Sequence, residues 1–465
     1  MNAMFLMHNR HLEGLETFLT QDPNMLSLKE QPLVYEFPLL GNLPQKEPGI
    51  YSITGGRQIG KSTVLKQWMA KLLSSGIKAE RIIFFAGELI NDHHSLVRLL
   101  TEFLSSIDGD EVSYIVVDEI TYIDHWDKGV KFLADSGLLR NTVLVISGSD
   151  SYIIREARMR FPGRRGNADI VDFHIHPLSF YEYLRLKYRS IFWETNEISN
   201  IGDDLTSEQM DVLYDAFDRY LEHGGYLTAI NDIEKMGTIS ASTFATYSDW
   251  IRGDVLKRGK QEHYLKEVMS GIIKRYSSQL SWNSLAKDLS IDHPATIIDY
   301  VELLSRMDVV TVQHALREDK LSAAPKKAKK VFFNDPFVFH AVRVWLLDNG
   351  SPYDDVKKLL EGSEWKSKVV EASVVTHFSR FYPTFYIKSK GEVDVAYVKD
   401  GCFWPVEVKW TNQMNAKDIK QICKYKNGKI FCKQKESGEM INGISALPLP
   451  LALAQLGASP YTLEH

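Results

Sequence analysis

The stretch Gly55-Gly56-Arg57-Gln58-Ile59-Gly60-Lys61-Ser62 constrains this chain more than any other. It has the form G-x-x-x-x-G-K-S, which shapes a phosphate-binding loop. A glycine-rich turn lets successive backbone N–H groups point into one concavity, and a following helix adds the positive end of its dipole. Lys61 is placed to reach the β- and γ-phosphates of a nucleotide, and the Ser62 hydroxyl to ligate Mg²⁺. A plain surface turn containing Lys-Ser is the competing explanation, and the flanks oppose it. Ile50, Tyr51 and Ile53 read as a strand entering the loop. Beyond Thr63, the residues Val64, Leu65, Trp68, Met69, Leu72 and Leu73 recur at helical spacing.

Strands and helices alternate from Gly49 to about Leu186, which predicts a parallel α/β sheet. Tyr114-Ile115-Val116-Val117 is an apolar strand ending in Asp118-Glu119. Asp118 is expected to hold Mg²⁺ and Glu119 to polarise an attacking water. Val143-Leu144-Val145-Ile146 runs into Ser147, either a sensor of the γ-phosphate or a simple strand-to-loop turn. An arginine cluster follows at Arg155, Arg158, Arg160, Arg164 and Arg165. A finger reaching a neighbouring copy in a homo-oligomer is one use for it, and a solvated basic face or a phosphate-backbone contact is another.

Together, Gly56-Arg57-Gln58-Ile59-Gly60-Lys61-Ser62, Asp118-Glu119, Ser147-Gly148-Ser149, Gly163-Arg164 and Pro177-Leu178-Ser179-Phe180 resemble a widespread prokaryotic AAA-type ATPase family. Its members carry a winged-helix region and then a C-terminal restriction-endonuclease-like domain. The resemblance implies an additional-strand P-loop fold with ATP as the nucleotide. The expected cofactor contacts are Gly55, Gly56, Arg57, Gln58, Ile59, Gly60, Lys61, Ser62, Thr63, Ser147 and Arg164. The expected organisation is a lead-in over 1–48, an ATPase core over 49–186, a helical lid or connector over 187–245 and a winged-helix region over 246–345. A small α/β restriction-endonuclease-like domain over 346–436 and a tail over 437–465 complete it.

Within the winged-helix region, apolar residues from Leu285 to Leu304 keep helical register around a turn at Asp292-His293-Pro294. Val309–Val312 and Val331–Phe333 are expected as wing strands, with Lys326, Lys327, Lys329 and Lys330 crowding the wing tip. The second helix carries Asp299 and Glu302, so packing is favoured over sequence-specific DNA reading.

The C-terminal region holds a second constellation. Asp400-Gly401 is a two-residue hairpin signal, and centring the hairpin there sets Asp394 opposite Glu407, with Lys409 two residues on along the same face. Facing carboxylates repel unless a cation or lysine sits between them. A divalent ion would resolve the repulsion and activate water for phosphodiester cleavage, with Lys409 orienting the nucleophile. Glu371, on a helical stretch over Val369–Phe378, is a further expected metal ligand, and Gln421-Ile422-Cys423-Lys424-Tyr425 resembles the Q-x-x-x-Y helix of recombination nucleases. Pro405 predicts a strand that is partly unpaired or at an edge. The competing explanation is an amphipathic hairpin with a solvated charged face.

The net charge of −5 conceals an asymmetry, because residues 409–435 hold eight Lys against one Asp. Such a segment suits a local polyanion site, and DNA is the expected partner. Three cysteines, with no C-x-x-C pair, support neither a disulfide framework nor a zinc site. No basic segment followed by an apolar core opens the chain, and no apolar run spans a bilayer, so a cytoplasmic location is expected. Two functions fit: an ATPase coupled to a Mg²⁺-dependent nuclease-like domain, or an ATP-gated switch whose C-terminal domain only binds DNA or a protein. A small-molecule kinase is disfavoured because Glu119 suits water activation.

Overall fold

The computed structural model describes residues 3–150, 159, 161, 163, 165–193, 201–202, 204–347, 350–412, 414, 419–435, 440–441 and 443–461. The chain divides into two compact units, Met1–His176 with Tyr461–Glu464, and Pro177–Pro460 with the final His465. The first unit thus closes at His176, ahead of the expected boundary at 186.

The sheet of the first unit comprises β1 (Gly49–Thr54), β2 (Ile82–Ala86), β3 (Ser113–Asp118), β4 (Thr142–Gly148) and β5 (Asp172–His174). Their order is β2-β3-β4-β1-β5, all parallel. Strands buried on both faces read as continuous apolar runs, and Ile115, Val116, Val117, Leu144 and Val145 are all fully enclosed. β4 separates β1 from β3, so this is the additional-strand arrangement. Both loop-bearing strand ends emerge at the carboxyl edge, where ligands of open α/β sheets bind.

The lead-in protects the open edge of this sheet. Asn9 donates its amide to the Phe84 carbonyl and accepts from the Phe84 N–H, both at 2.8 Å, as a neighbouring strand would. Asp22 and Lys66 form a buried ion pair at 2.9 Å. Lys66 lies on the helix Lys61–Ser74, so this pair ties the lead-in to the helix that follows the loop.

In the second unit, helices Ser207–His223, Leu227–Met236 and Ala241–Lys257 precede a pair, Trp282–Asp288 and Pro294–Arg306. Among the described residues, nine strands follow: β6 (Val310–Arg317), β7 (Ser322–Ala323), β8 (Lys329–Phe333), β9 (Thr384–Lys388), β10 (Glu392–Lys399), β11 (Cys402–Lys409), β12 (Lys429–Cys432), β13 (Met440–Ile441) and β14 (Ile444–Pro448). They form one sheet, β13-β14-β12-β11-β10-β9-β6-β7, with β8 also paired to β6. Strands from the segments expected as wing, C-terminal domain and tail are therefore joined in one sheet. β9, β10 and β11 form an antiparallel meander, and β12 runs parallel to β11. The helix Ser363–Phe381 packs on this sheet and contains Glu371.

A buried histidine on that helix holds the entry to another. The Phe180 N–H, in the first turn of the helix Phe180–Lys187, donates to His377 Nε2 at 3.0 Å, and Nδ1–H donates to the Ser373 carbonyl at 2.6 Å. Burial, with the Arg380 charge, lowers its pKa to about 3. A group depressed in this way stabilises the fold above its unfolded value, near 6.5, and that contribution is lost as pH falls toward 3. We expect His377→Gln to be less stable than wild type at pH 7.5, with the gap narrowing by about 1.4 kcal/mol per pH unit below about 6.5. Urea melts at pH 7.5 and 5 check this, and a constant gap would assign the acid sensitivity elsewhere.

Candidate functional site

The loop after β1 closes on itself because glycines stand where side chains cannot. Gly55 has φ +147°, and a Cβ there would lie 2.5 Å from the Ile175 carbonyl oxygen. Gly60, at φ +101°, turns the chain into the helix Lys61–Ser74. Gln58 lies in the left-handed region as well. Lys61 folds back so that Nζ donates to the Gly55 and Gly56 carbonyls, both at 3.1 Å. Arg57 bonds to the Tyr122 hydroxyl and stacks over its ring at 5.6 Å, linking the loop to the segment after β3. Ile59 is buried, and Thr63 occupies the first turn of the helix.

β3 and β4 deliver the acidic side of this site. Asp118 Oδ2 accepts from the Ser62 hydroxyl at 2.5 Å, and its other oxygen accepts from Ser147. Burial pushes the Asp118 carboxyl up, and the bonds from Ser147 and Ser62 oppose that shift. Ser147 Oγ also accepts the Glu119 N–H at 3.0 Å. Glu119 itself sits at φ 49°, an uncommon conformation for a non-glycine residue. Its Oε1 is 3.4 Å from Lys61 Nζ, and Oε2 accepts from the Ser149 N–H at 3.3 Å. Ser147 thus joins both acidic residues, a contact that neither sequence alternative, a γ-phosphate sensor or a plain turn, specifies.

Arg164, Arg155, Arg158 and Arg160 lie outside the described residues. Arg165 is engaged internally: it binds Asp172 through two nitrogens, at 2.7 and 2.5 Å, and donates to the Ile50 carbonyl. It braces β5 against β1.

The second constellation differs more from expectation. The β10–β11 pairs Val395↔Val406 through Lys399↔Cys402 keep the register centred on Asp400-Gly401. The ladder stops short of Asp394, which lies where the pairing of β10 with β9 shifts, and whose Oδ2 accepts from the Val408 N–H at 3.0 Å. Bulges of this kind re-aim side chains. Pro405 pairs only toward β10, because β12 joins β11 from Val406 onward. Glu407, 5 % exposed, has Oε1 at 2.7 Å from Lys409 Nζ and a buried Oε2 without a hydrogen-bond partner among the described residues. Burial, with the Asp394 charge, pushes its pKa up to about 8. That orphaned oxygen beside a second carboxylate fits a cation.

Lys330 departs from the expected wing tip. It is buried in β8, 1 % exposed, and its Nζ lies 2.8 Å from Glu371, 2.5 Å from Glu392 and 3.7 Å from Asp394. Burial alone would lower its pKa, but these carboxylates outweigh that and hold it above the ordinary lysine value. Glu371, expected as a metal ligand, accepts from Lys330 at 2.8 Å and from the Ser277 hydroxyl. Among the described residues, no three His, Cys, Asp or Glu side chains converge as a ready metal site. Glu392 has a sequence signal of its own, since it lies two residues from Asp394 on the same face of β10. Lys330 carried none, because a lysine in a lysine run reads as solvated. The segment Gln421–Tyr425 forms only a 3₁₀ turn over Ile422–Lys424, not the expected helix.

Of the comparisons with known proteins, the family match agrees with this picture of the first unit. The family described as an AAA domain matches residues 47–184, and a domain of unknown function matches residues 214–349. An uncharacterized Haemophilus influenzae protein is 27 % identical over 265 residues, 54 % of this chain and 59 % of its own length. A second, from Methanocaldococcus jannaschii, is 29 % identical over 192 residues, 39 % of this chain and 38 % of its own length. The chain therefore spans less than two thirds of either relative. Among solved structures, a Walker-type ATPase of Pyrococcus abyssi aligns with TM-score 0.39 at 13 % identity, covering 63 % of this chain and 91 % of that one. The Aeropyrum pernix ORC1 protein, solved in complex with DNA, aligns with TM-score 0.34 at 13 % identity, covering 75 % and 97 %. Sheet order, loop and family match define residues 47–184 as an AAA-type, nucleotide-binding P-loop ATPase domain. No described helix is long and apolar enough to cross a membrane.

Proposed function

We propose that this chain hydrolyses ATP and uses its nucleotide state to govern a Mg²⁺-dependent, nuclease-like C-terminal domain acting on DNA. Lys61 exchanges the Gly55 and Gly56 carbonyls for nucleotide phosphates, and the backbone N–H groups of Gly56 to Thr63 cradle them. Glu119 accepts the proton of the attacking water, and Ser147 holds Asp118 and Glu119 in mutual register. Ser62 and Asp118 would hold a divalent ion in the first unit, and Asp394 and Glu407 one in the second. Such an ion supplies charge neutralisation at phosphate oxygens and a more acidic bound water. In the C-terminal domain, Lys409 orients Glu407 and balances charge.

The orphaned Glu407 Oε2 beside Asp394 carries the nuclease-like reading, and the meander β9–β10–β11 with parallel β12 supports it. The lysine-rich segment 409–435 supports a polyanionic partner. The helix pair at 282–306 with strands β6 and β8 supports a winged-helix region. Its second helix presents Asp299, paired with Lys260, and so favours packing over base reading. A non-catalytic binding module is the second reading, favoured by Lys330, which already neutralises carboxylates at this site. Incubating single- and double-stranded DNA with the full chain, Mg²⁺ and ATP separates the two. Cutting that Asp394→Ala abolishes supports the nuclease. Absence of cutting in every nucleotide state supports the binding module.

A further inference from the structure

Lys330 has three ammonium protons, and three carboxylates surround it: Glu371, Glu392 and Asp394. Each carboxylate presents one oxygen to Lys330 and its other to an uncharged donor. Ser277 bonds Glu371, Gln279 bonds Glu392, and the Val408 N–H bonds Asp394. Ser277, Gln279 and Lys330 all come from the segment expected as the winged helix, and the carboxylates all come from the helix Ser363–Phe381 and β10. This is how a metal centre is built, with carboxylates around a cation and an outer ring of neutral hydrogen bonds. Here the cation is part of the chain.

Glu407 is the exception to that pattern. Its Oε1 pairs with Lys409, but its buried Oε2 has no hydrogen-bond partner among the described residues. When all are ionised, these four carboxylates face two ammonium groups among the described residues, Lys330 and Lys409, and the excess of two negative charges equals the charge of one divalent ion.

We propose that Lys330 is a resident cation of the carboxylate site, holding the place of a second divalent ion, so that the site takes a single one between Asp394 and Glu407. The proposal rests on the nuclease-like reading above and adds the ion count and the residue that sets it. Lys330 acts through Glu371, Glu392 and Asp394 and is a positioning residue. Two-metal phosphodiester sites clamp attacking and leaving oxygens with a pair of ions, and this geometry assigns one of those positions to a fixed ammonium.

The test is a Mn²⁺ titration of the nucleotide-free full chain followed by electron paramagnetic resonance, with Asp394→Asn as background. Wild type is expected to bind one Asp394-dependent Mn²⁺ per chain. Lys330→Met and Lys330→Gln, checked for folding by circular dichroism, are expected to bind two. In both variants, Mn²⁺ is expected to raise the melting temperature more than in wild type. One ion in wild type and in both folded variants overturns the inference and leaves the nuclease-like reading intact. Two ions in wild type overturn it whether or not the variants fold. No Asp394-dependent ion in wild type overturns the inference and the nuclease-like reading together.

Discussion

Replacing Glu119 by Gln is expected to lower steady-state ATP hydrolysis by about 10²- to 10⁴-fold, the scale of losing a positioned general base. The side chain is held for that task from three sides. Ser147 fixes its backbone, Ser149 bonds one carboxylate oxygen, and Lys61 faces the other at 3.4 Å. Gln keeps the shape and one acceptor for the Ser149 N–H, but its neutral amide gives up the ion pair with Lys61 and cannot take a proton from water. Nucleotide should therefore still bind, as measured by a fluorescent ATP analogue. Lys61→Ala is expected to lose binding and turnover together, because the ammonium that meets the phosphates is gone. Phosphate release from Glu119→Gln at the wild-type rate would remove Glu119 as the base.

Glu407→Gln is expected to abolish metal-dependent cleavage and, in a chelator, to make the chain more stable. A buried carboxylate oxygen without a partner costs about 1–3 kcal/mol, Glu407 Oε2 has none among the described residues, and Asp394 beside it adds repulsion. The sign follows from the raised pKa. A carboxyl held above its unfolded value stabilises fully below that value, near 4.3, and this contribution is lost as pH rises through about 8. The advantage of Gln should therefore widen between pH 5 and 8.5 in EDTA and shrink when Mn²⁺ is added. Thermal melts across that range measure it. A variant less stable than wild type at pH 8.5 in EDTA would mean that the Glu407–Lys409 pair outweighs the burial cost. Loss of stability at a functional group is the usual trade, in which a site built for a ligand is strained without it.

Much of this was legible in the residues because it depends on local rules. G-x-x-x-x-G-K-S between a strand and a helix specifies its own turn, since Gly55 and Gly60 take backbone angles that side chains resist. The apolar runs at 114–117 and 143–146 identify buried strands, and Asp400-Gly401 sets a hairpin register that holds from Val395 to Lys399. The extent of that register was not legible. The shift between Val393 and Ala396 comes from pairing with β9, so Asp394 bonds the Val408 N–H and not a partner directly across.

The sequence alone determined which chemistries were present: a phosphate-binding loop, an acidic strand end beside it, and carboxylates with lysine in the C-terminal region. Those follow from residue type and short spacing. Only the tertiary structure decided which charges meet. It joined β6 and β8 to the C-terminal strands in one sheet, carrying Lys330 into contact with Glu371, Glu392 and Asp394. It also set Ser147 between Asp118 and Glu119. An ion pair between residues 41 to 64 positions apart has no periodicity to announce it. A lysine's partner depends on the burial and strand order that long-range packing imposes.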